Sequence, residues 1–120
     1  MPQGSRTQRV AEEFREVLAE EVQRLKDPRI GFVTVTGVEV SPDLRHAWVY
    51  YTVFGDERQR KATAAGLRSA TAHLRQVLGH EVRLKTLPEL EFRMDETEER
   101  GRRIDEIIER LHGEEEDEDG

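Results

Sequence analysis

The fold is decided by residues 31–54, whose sequence is GFVTVTGVEVSPDLRHAWVYYTVF. The first ten of these residues are rich in valine and threonine, which favour extended backbone. The valines before and after Gly37 lie on opposite parities of the alternating pattern, and this change predicts a β-bulge at Gly37. Residues 41–43, Ser-Pro-Asp, have the chemistry of a turn, so residues 44–54 are predicted to return as the second strand of a hairpin.

The predicted second strand has large side chains on both of its faces. Ala47, Val49, Tyr51 and Val53 share one parity, and Trp48, Tyr50, Thr52 and Phe54 share the other. A strand at the solvated surface of a sheet would alternate between apolar and polar residues. The pattern therefore predicts that this strand is central, or that one of its faces is a contact surface.

An amphipathic helix is predicted over residues 5–25, before the hairpin. Its apolar residues recur at helical spacing: Val10, Phe14, Val17, Leu18, Val22 and Leu25. Ser5 and Gln8 have the spacing of a capping box, which predicts that Ser5 begins the helix. The Asp27-Pro28 pair is predicted to end it, because a residue before proline avoids the α conformation.

A second helical stretch is predicted over residues 57–78, after the hairpin. Its centre is small and partly β-branched, which predicts two helices that meet at a bend near residues 70–72. Gly79 is predicted to end the second of these helices. A third strand is predicted over residues 84–94, and Pro88 near its start fits either a strand entry or an edge strand.

A last helix is predicted to begin near Asp95 and Glu98 and to end at Gly113. Its apolar stripe consists of Ile104, Ile107, Ile108 and Leu111. The order of elements predicts an α+β domain whose helices cover one face of a three-stranded sheet. We therefore expect a domain over residues 1–112 and a disordered acidic tail over residues 113–120.

The charge of the chain is unevenly distributed. The net charge is −7, but residues 1–93 contain 15 basic and 13 acidic residues, whereas residues 94–120 contain 4 and 13. The overall acidity therefore says little about the binding surface of the domain. The chain has no cysteine, no apolar run long enough to span a bilayer, and no apolar secretion signal in its first residues. We expect a cytoplasmic protein.

Four segments of the chain resemble ribosome-binding factor A (RbfA) proteins. They are residues 9–14 (RVAEEF), 26–44 (KDPRIGFVTVTGVEVSPDL), 88–92 (PELEF) and 99–105 (ERGRRID). The resemblance covers roughly residues 6–111, and the second segment is its most specific part.

The resemblance implies a type II KH-like fold, α-β-β-α-(kink)-α-β with an additional C-terminal helix. It also implies a bacterial factor that binds free small (30S) ribosomal subunits, assists their late maturation and the processing of the 5′ end of precursor 16S rRNA, and matters most in the cold. RbfA proteins have an Ala-x-Gly kink between two helices. The corresponding residues here are Ala70, Thr71 and Ala72, so an alanine stands where the family has glycine.

The candidate RNA-binding residues are mostly basic, because cations on phosphates release counterions and so drive binding. They are Arg6, Arg9, Arg45, Arg68, Ala70, Ala72, Arg75 and Lys85. Arg68 and Arg75 flank the predicted bend, and Arg6 and Arg9 lie near the predicted start of the first helix. For any single arginine, an ordinary solvated surface charge is the more common explanation. Trp48, Tyr50 and Phe54 could stack on unpaired bases, although packing within the protein is the commoner role of such residues.

Catalysis is not predicted. The four histidines are dispersed, no nucleophile has an adjacent base and oxyanion site, and no phosphate-binding glycine-rich loop is present. We expect a monomer without metal, cofactor, membrane or small-molecule substrate, whose partner is the small ribosomal subunit and its rRNA. The alternative is a protein–protein adaptor that uses the acidic tail and the last helix. A small RNA-cleaving enzyme is a third possibility, but it lacks an acid–base pair.

Overall fold

The computed structural model describes residues 2–96, with side chains from residue 6 onward. The elements are α1 (Pro2–Arg24), β1 (Phe32–Val40), β2 (His46–Phe54), α2 (Glu57–Val82) and β3 (Glu89–Met94). β2 is the central strand, antiparallel to β1 and parallel to β3. The buried side chains of both helices form one core with those of the strands. The predicted α+β architecture is confirmed, and of the predicted alternatives the structure places β2 in the centre and β3 at an edge.

The bulge in β1 determines which valines reach the core. Val35 pairs with Tyr51 and Gly37 pairs with Tyr50, so Thr36 is the extra residue. The bulge returns the later valines to the face that the earlier ones occupy, and all of them contact the core: Val33, Val35, Val38 and Val40. The predicted bulge is therefore confirmed. β2 begins two residues later than predicted, because Leu44 has a φ of 62° and belongs to the turn.

The apolar stripe of α1 is also confirmed. Phe14, Leu18 and Val22 are buried, and the other members of the stripe pack around them. The predicted capping box is wrong, because the helix begins at Pro2 and Ser5 lies inside it. Proline is well suited to the first turn of a helix, where its missing N–H would have no intrahelical partner.

α2 is one continuous helix of 26 residues, so the predicted pair of helices with a bend at residues 70–72 is wrong. The small residue Ala70 in this stretch is half-buried and packs against the core. The hydroxyl of Thr71 donates to the carbonyl of Leu67 at 3.0 Å, which satisfies it within the helix. The helix ends at Val82, and its C-cap residue Arg83 has a φ of 54°, so Gly79 does not end it. A Cβ at Gly79 would meet the end of the Leu87 side chain, which would have to move.

The segment before β1 packs closely against α2. The Gly31 N–H donates to the Thr63 hydroxyl at 3.1 Å, and Thr63 is fully buried. One turn further along, Gly66 is also buried, and a Cβ built on it would lie 2.5 Å from Cγ1 of Ile30. Glycine at position 66 therefore allows α2 to approach this segment.

Arg75 connects α2 to the start of β3. Its Nε donates to the Pro88 carbonyl at 2.8 Å and its Nη2 to the Leu87 carbonyl at 3.3 Å. Nη2 also lies 3.3 Å from a carboxylate oxygen of Glu89. Pro88 is almost completely buried, so these bonds satisfy backbone groups that water reaches poorly.

The predicted last helix, the boundary at residues 112–113 and the acidic tail lie outside the described residues. Asp95 and Glu96 are the last residues described.

We expect Gly66→Ala to lower the free energy of unfolding by about 1 kcal/mol. Alanine favours a helix over glycine by roughly 1 kcal/mol, but overpacking a filled site costs roughly 1–3 kcal/mol. Urea denaturation measures the difference. Ser69→Ala, at an exposed position of the same helix, is the control and should not lower stability. A Gly66→Ala protein as stable as the wild type would contradict the close approach.

We expect Arg75→Ala to lower the free energy of unfolding by roughly 2 kcal/mol, because hydrogen bonds that involve a charged group contribute roughly 1.5–3 kcal/mol. Arg75→Lys should recover only part of the loss, since an ammonium cannot reproduce the guanidinium fork. Arg68→Ala, two helical turns away, should change stability little because Arg68 is exposed. Equal urea midpoints for the Arg75→Ala and Arg68→Ala proteins would show that Arg75 does not anchor the loop.

Candidate nucleic-acid interface

Five of the predicted cations are exposed: Arg6, Arg9, Arg45, Arg68 and Lys85. Within residues 2–96, none of the five has a side-chain hydrogen bond or ion pair with another residue. Arg15, Arg24 and Arg29, by contrast, are paired with carboxylates of their own segments. The guanidinium of Arg75 is committed to the loop before β3. Arg75 is therefore less available to phosphate than the five exposed cations.

The exposed face of α2 is the most consistently basic surface of the described part. Residues 58–80 contain no aspartate or glutamate, in a chain that has 26 acidic residues, and they contain five arginines or lysines. Arg58, Lys61 and Arg68 are exposed on this helix. Lys61 is only weakly engaged, with its Nζ 3.8 Å from a carboxylate oxygen of Glu57. Carboxylates are present only near the two ends of this helix, at Glu57 and Glu81, and a surface with such an excess of cations attracts a polyanion.

Arg58 and Lys61 are absent from the residues predicted above. The sequence signal that points to them is the run of residues 58–80, which contains no acidic residue. Only the structure shows which side chains of this run are exposed, because the run also contains the buried Leu67, Leu74 and Leu78.

Arg68 lies at the wall of a cleft between α2 and β3. The cleft has a volume of about 270 Å³. Tyr51, Thr71 and Phe92 also line it. Burial raises the pKa of the Tyr51 phenol, and the nearby charge of Arg68 opposes that increase. Glu91 also lines the cleft, and Tyr51 is only 3% exposed, so Arg68 and the half-buried Phe92 are the groups there that can contact a nucleotide.

Ala70 and Ala72 lie between Arg68 and Arg75, but on different sides of α2. Ala70 is half-buried against the core, whereas Ala72 is exposed. They do not form a bend, so any contact with RNA there would be made by a regular helix surface.

The remaining predicted cations lie toward one end of the sheet. Gln23, near the end of α1, donates to the Val33 carbonyl at the start of β1 at 2.6 Å, so α1 runs antiparallel to β1. Its first turns, with Arg6 and Arg9, therefore lie toward the end where β1 finishes and β2 begins. Arg45 is at this end, since its carbonyl accepts the Glu89 N–H at 2.8 Å. Lys85 lies in the loop that leads to Glu89.

At this end of the sheet, the structure changes the prediction for Arg6 and Arg9 and shows a carboxylate beside Arg45. α1 begins at Pro2, so Arg6 and Arg9 lie beyond the first turn and do not mark the helix terminus. Asp43 accepts hydrogen bonds from the Ser41 hydroxyl and from the Arg45 N–H. These bonds lower the pKa of Asp43, so a carboxylate stands beside Arg45.

Trp48, Tyr50 and Phe54 of β2 lie on the sheet face opposite the helices, whereas Tyr51 belongs to the core. Trp48 and Tyr50 are half-buried and Phe54 is 83% exposed. The Arg93 guanidinium lies 5.9 Å from the centre of the Trp48 ring, and the His46 ring lies 4.6 Å from it. Carboxylates accompany these aromatic rings, since Glu39 and Glu91 pair in register with Trp48.

Among residues 2–96, no group of three histidine, aspartate or glutamate side chains is placed to hold a metal ion. In the same part of the chain, no helix combines the length and the apolar character that crossing a membrane requires.

Comparisons with known proteins agree with the fold. Residues 6–108 match the family model described as ribosome-binding factor A. The chain is 46% identical to ribosome-binding factor A of Geobacter sulfurreducens over 111 residues, which cover 92% of this chain and 94% of the relative.

Two solved structures are similar. The crystal structure of ribosome-binding factor A from Thermus thermophilus has a TM-score of 0.66 and 33% identity, and the match covers 73% of this chain and 94% of that one. A homology model of the Thermus thermophilus protein, fitted into a cryo-EM map of a 30S–RbfA complex, has a TM-score of 0.61 and 34% identity, with 71% and 90% covered. The chain therefore belongs to the ribosome-binding factor A family.

Proposed function

We propose that this protein binds the small ribosomal subunit through its rRNA, with the exposed face of α2 as the main docking surface. The observation that carries the proposal is the acid-free run of residues 58–80, which supplies exposed cations along one helix. Because the protein is a member of a family of ribosome-binding factors, the polyanion that this surface would meet is ribosomal RNA.

Arg68 is the central residue of this surface. It is exposed, has no ion pair within the described residues, and lies beside the cleft lined by Tyr51 and Phe92. A phosphate at Arg68 would place the adjoining nucleotide near the half-buried Phe92. Arg6, Arg9, Arg45 and Lys85 would add phosphate contacts at the end of the sheet.

The protein acts by binding and not by catalysis in this proposal. A binding protein shifts an RNA folding equilibrium only by its preference for one arrangement over another. The factor would bind free 30S subunits in the bacterial cytoplasm as a monomer, and assist late maturation and processing of the 5′ end of precursor 16S rRNA. The order α1-β1-β2-α2-β3 with a mixed sheet is compatible with a type II KH-like fold in which the kink is absent.

The test is co-sedimentation of the full-length protein with purified small subunits at several salt concentrations. We expect the wild type to sediment with the subunits, and Arg58→Ala combined with Arg68→Ala to weaken binding and flatten its salt dependence. Each lost phosphate contact reduces the slope by about 0.7–0.9. The control, Arg15→Ala with Arg24→Ala, removes the same charge from arginines that are already paired with glutamates.

Wild-type protein that remains in the top fractions would refute the proposal. An equal loss in the two double variants would mean that net charge, and not the face of α2, determines binding. Arg75 is left unchanged in this test, because its substitution is expected to disturb the fold.

The adaptor hypothesis makes a different prediction for the acidic tail. Residues 114–119 are all acidic. If rRNA is the partner, deletion of residues 114–120 should leave subunit binding intact or strengthen it, since the deletion removes negative charge that repels phosphate. The same sedimentation assay measures the effect. Loss of binding after the deletion would favour an adaptor that engages a basic protein through its tail.

A further inference from the structure

Two phenylalanines lie side by side at one end of the sheet, on the open face opposite the helices. Phe32 begins β1 and Phe54 ends β2, the two residues pair in register, and each is 83% exposed. Side chains that pair directly across an antiparallel ladder are neighbours, so the two rings form one patch, the phenylalanine pair. Isolated apolar residues are common on protein surfaces, but two large rings that adjoin one another are a candidate contact surface.

The phenylalanine pair differs from the aromatic residues at the other end of the same face. There, the His46 ring and the Arg93 guanidinium already lie beside the Trp48 ring, and carboxylates accompany it. The phenylalanine pair adjoins Thr34 and Thr52, which pair across the same two strands and carry no charge. An aromatic ligand could therefore approach the faces of the two phenylalanine rings.

The first turns of α2 lie close to the phenylalanine pair. Gly31, which precedes Phe32, donates its N–H to the Thr63 hydroxyl of α2 at 3.1 Å. Arg58 follows Phe54 by four residues, so the Cα atoms of these two residues lie at most about 14 Å apart. The phenylalanine pair therefore lies at the border of the α2 surface that is proposed above to bind rRNA.

In the segments that flank the pair, residues 25–31 and 55–61, the carboxylates already have partners. Each of the three has a donor or a cation beside it: Asp27 with Arg29, Asp56 with the Gln59 N–H, and Glu57 with Lys61. Lys26 and Arg58 are exposed, and neither has a side-chain hydrogen bond or ion pair within residues 2–96. The uncompensated charge beside the pair is thus positive and suits phosphate, whereas a purely apolar partner would gain nothing from it.

We propose that the phenylalanine pair is a stacking site for an unpaired base of the small-subunit rRNA, next to a phosphate bound by Arg58. Every base has a π-face that can stack on an aromatic ring, so the site selects unpaired nucleotides and not a base sequence. This inference rests on the proposed function, because it extends the α2 docking surface around the end of the sheet.

The test is co-sedimentation of full-length double variants with purified small subunits. Phe32→Leu with Phe54→Leu keeps the patch apolar but removes its π-faces, whereas Phe32→Tyr with Phe54→Tyr retains them. We expect the leucine protein to bind at least about fivefold more weakly. Its salt dependence should be unchanged, because stacking releases no counterions. The tyrosine protein should bind like the wild type, and urea denaturation establishes that all three proteins are equally folded.

A second measurement distinguishes RNA from a protein of the subunit. Addition of a single-stranded oligoadenylate to the wild type should move the ring-proton resonances of Phe32 and Phe54 upfield, because a stacked base places them in its ring current. The ring of the fully buried Phe14 is the internal control and should not move.

A leucine protein that binds small subunits as tightly as the wild type would overturn the stacking site and leave the α2 surface standing. Wild-type protein that fails to sediment would instead refute the proposed function, and this inference with it. Weak binding of the leucine protein without movement of the two rings would identify an apolar protein surface as the occupant. Ring resonances that change on dilution without RNA would identify a second copy of the chain. Either of these last two results would also overturn the stacking site.

Discussion

The inner face of β2 is the constraint on which the rest of the structure depends. β2 pairs with a strand on each side, so its backbone is fully used in the sheet, and its inward side chains must be covered by helices. Ala47 and Val49 are completely buried, and the core residues of both helices meet over them. The bulge at Thr36 serves the same requirement, because without it the valines of β1 would lie on two different faces. The burial of this face provides the main favourable free energy of folding.

This constraint leaves α2 with two different tasks. Its inner side supplies core residues, and its outer side supplies cations, with no carboxylate between Glu57 and Glu81. Arg68 and Arg75 differ in role because different segments of the chain lie opposite them. The two arginines are separated by two helical turns, yet Arg75 lies opposite the carbonyls of Leu87 and Pro88 and stabilises the entry to β3. Arg68 lies opposite a cleft and remains exposed. One is part of the fold and the other is available to a ligand.

The sheet has a second surface that the core does not use. Around Trp48 its aromatic rings lie among carboxylates, whereas the cations of α2 lie on the opposite side of the molecule. This half of the face and the surface of α2 therefore suit partners of different chemistry. The bonds of Asp95 to Thr36 and Tyr51 attach the end of β3 to the bulge on this acidic, aromatic side. The phenylalanine pair lies at the other end of the face, beside the first turns of α2, which is why we assign that end to RNA.

The sequence by itself determined α1, the hairpin of β1 and β2, and the bulge, because periodicity and parity are local properties of the chain. It left the central position of β2 and the edge position of β3 as one of two alternatives each, and the pairing of the strands decided both. The start of α1 and the continuity of α2 were mispredicted. Ser5 has a capping pattern, and small residues near Ala70 resemble a break, but a proline start and contact with the core outweigh these local signals. The roles of Arg68 and Arg75 were decided only by the tertiary structure. Both are arginines on one helix face, and the difference between them comes from segments far away in the sequence, which no local pattern contains.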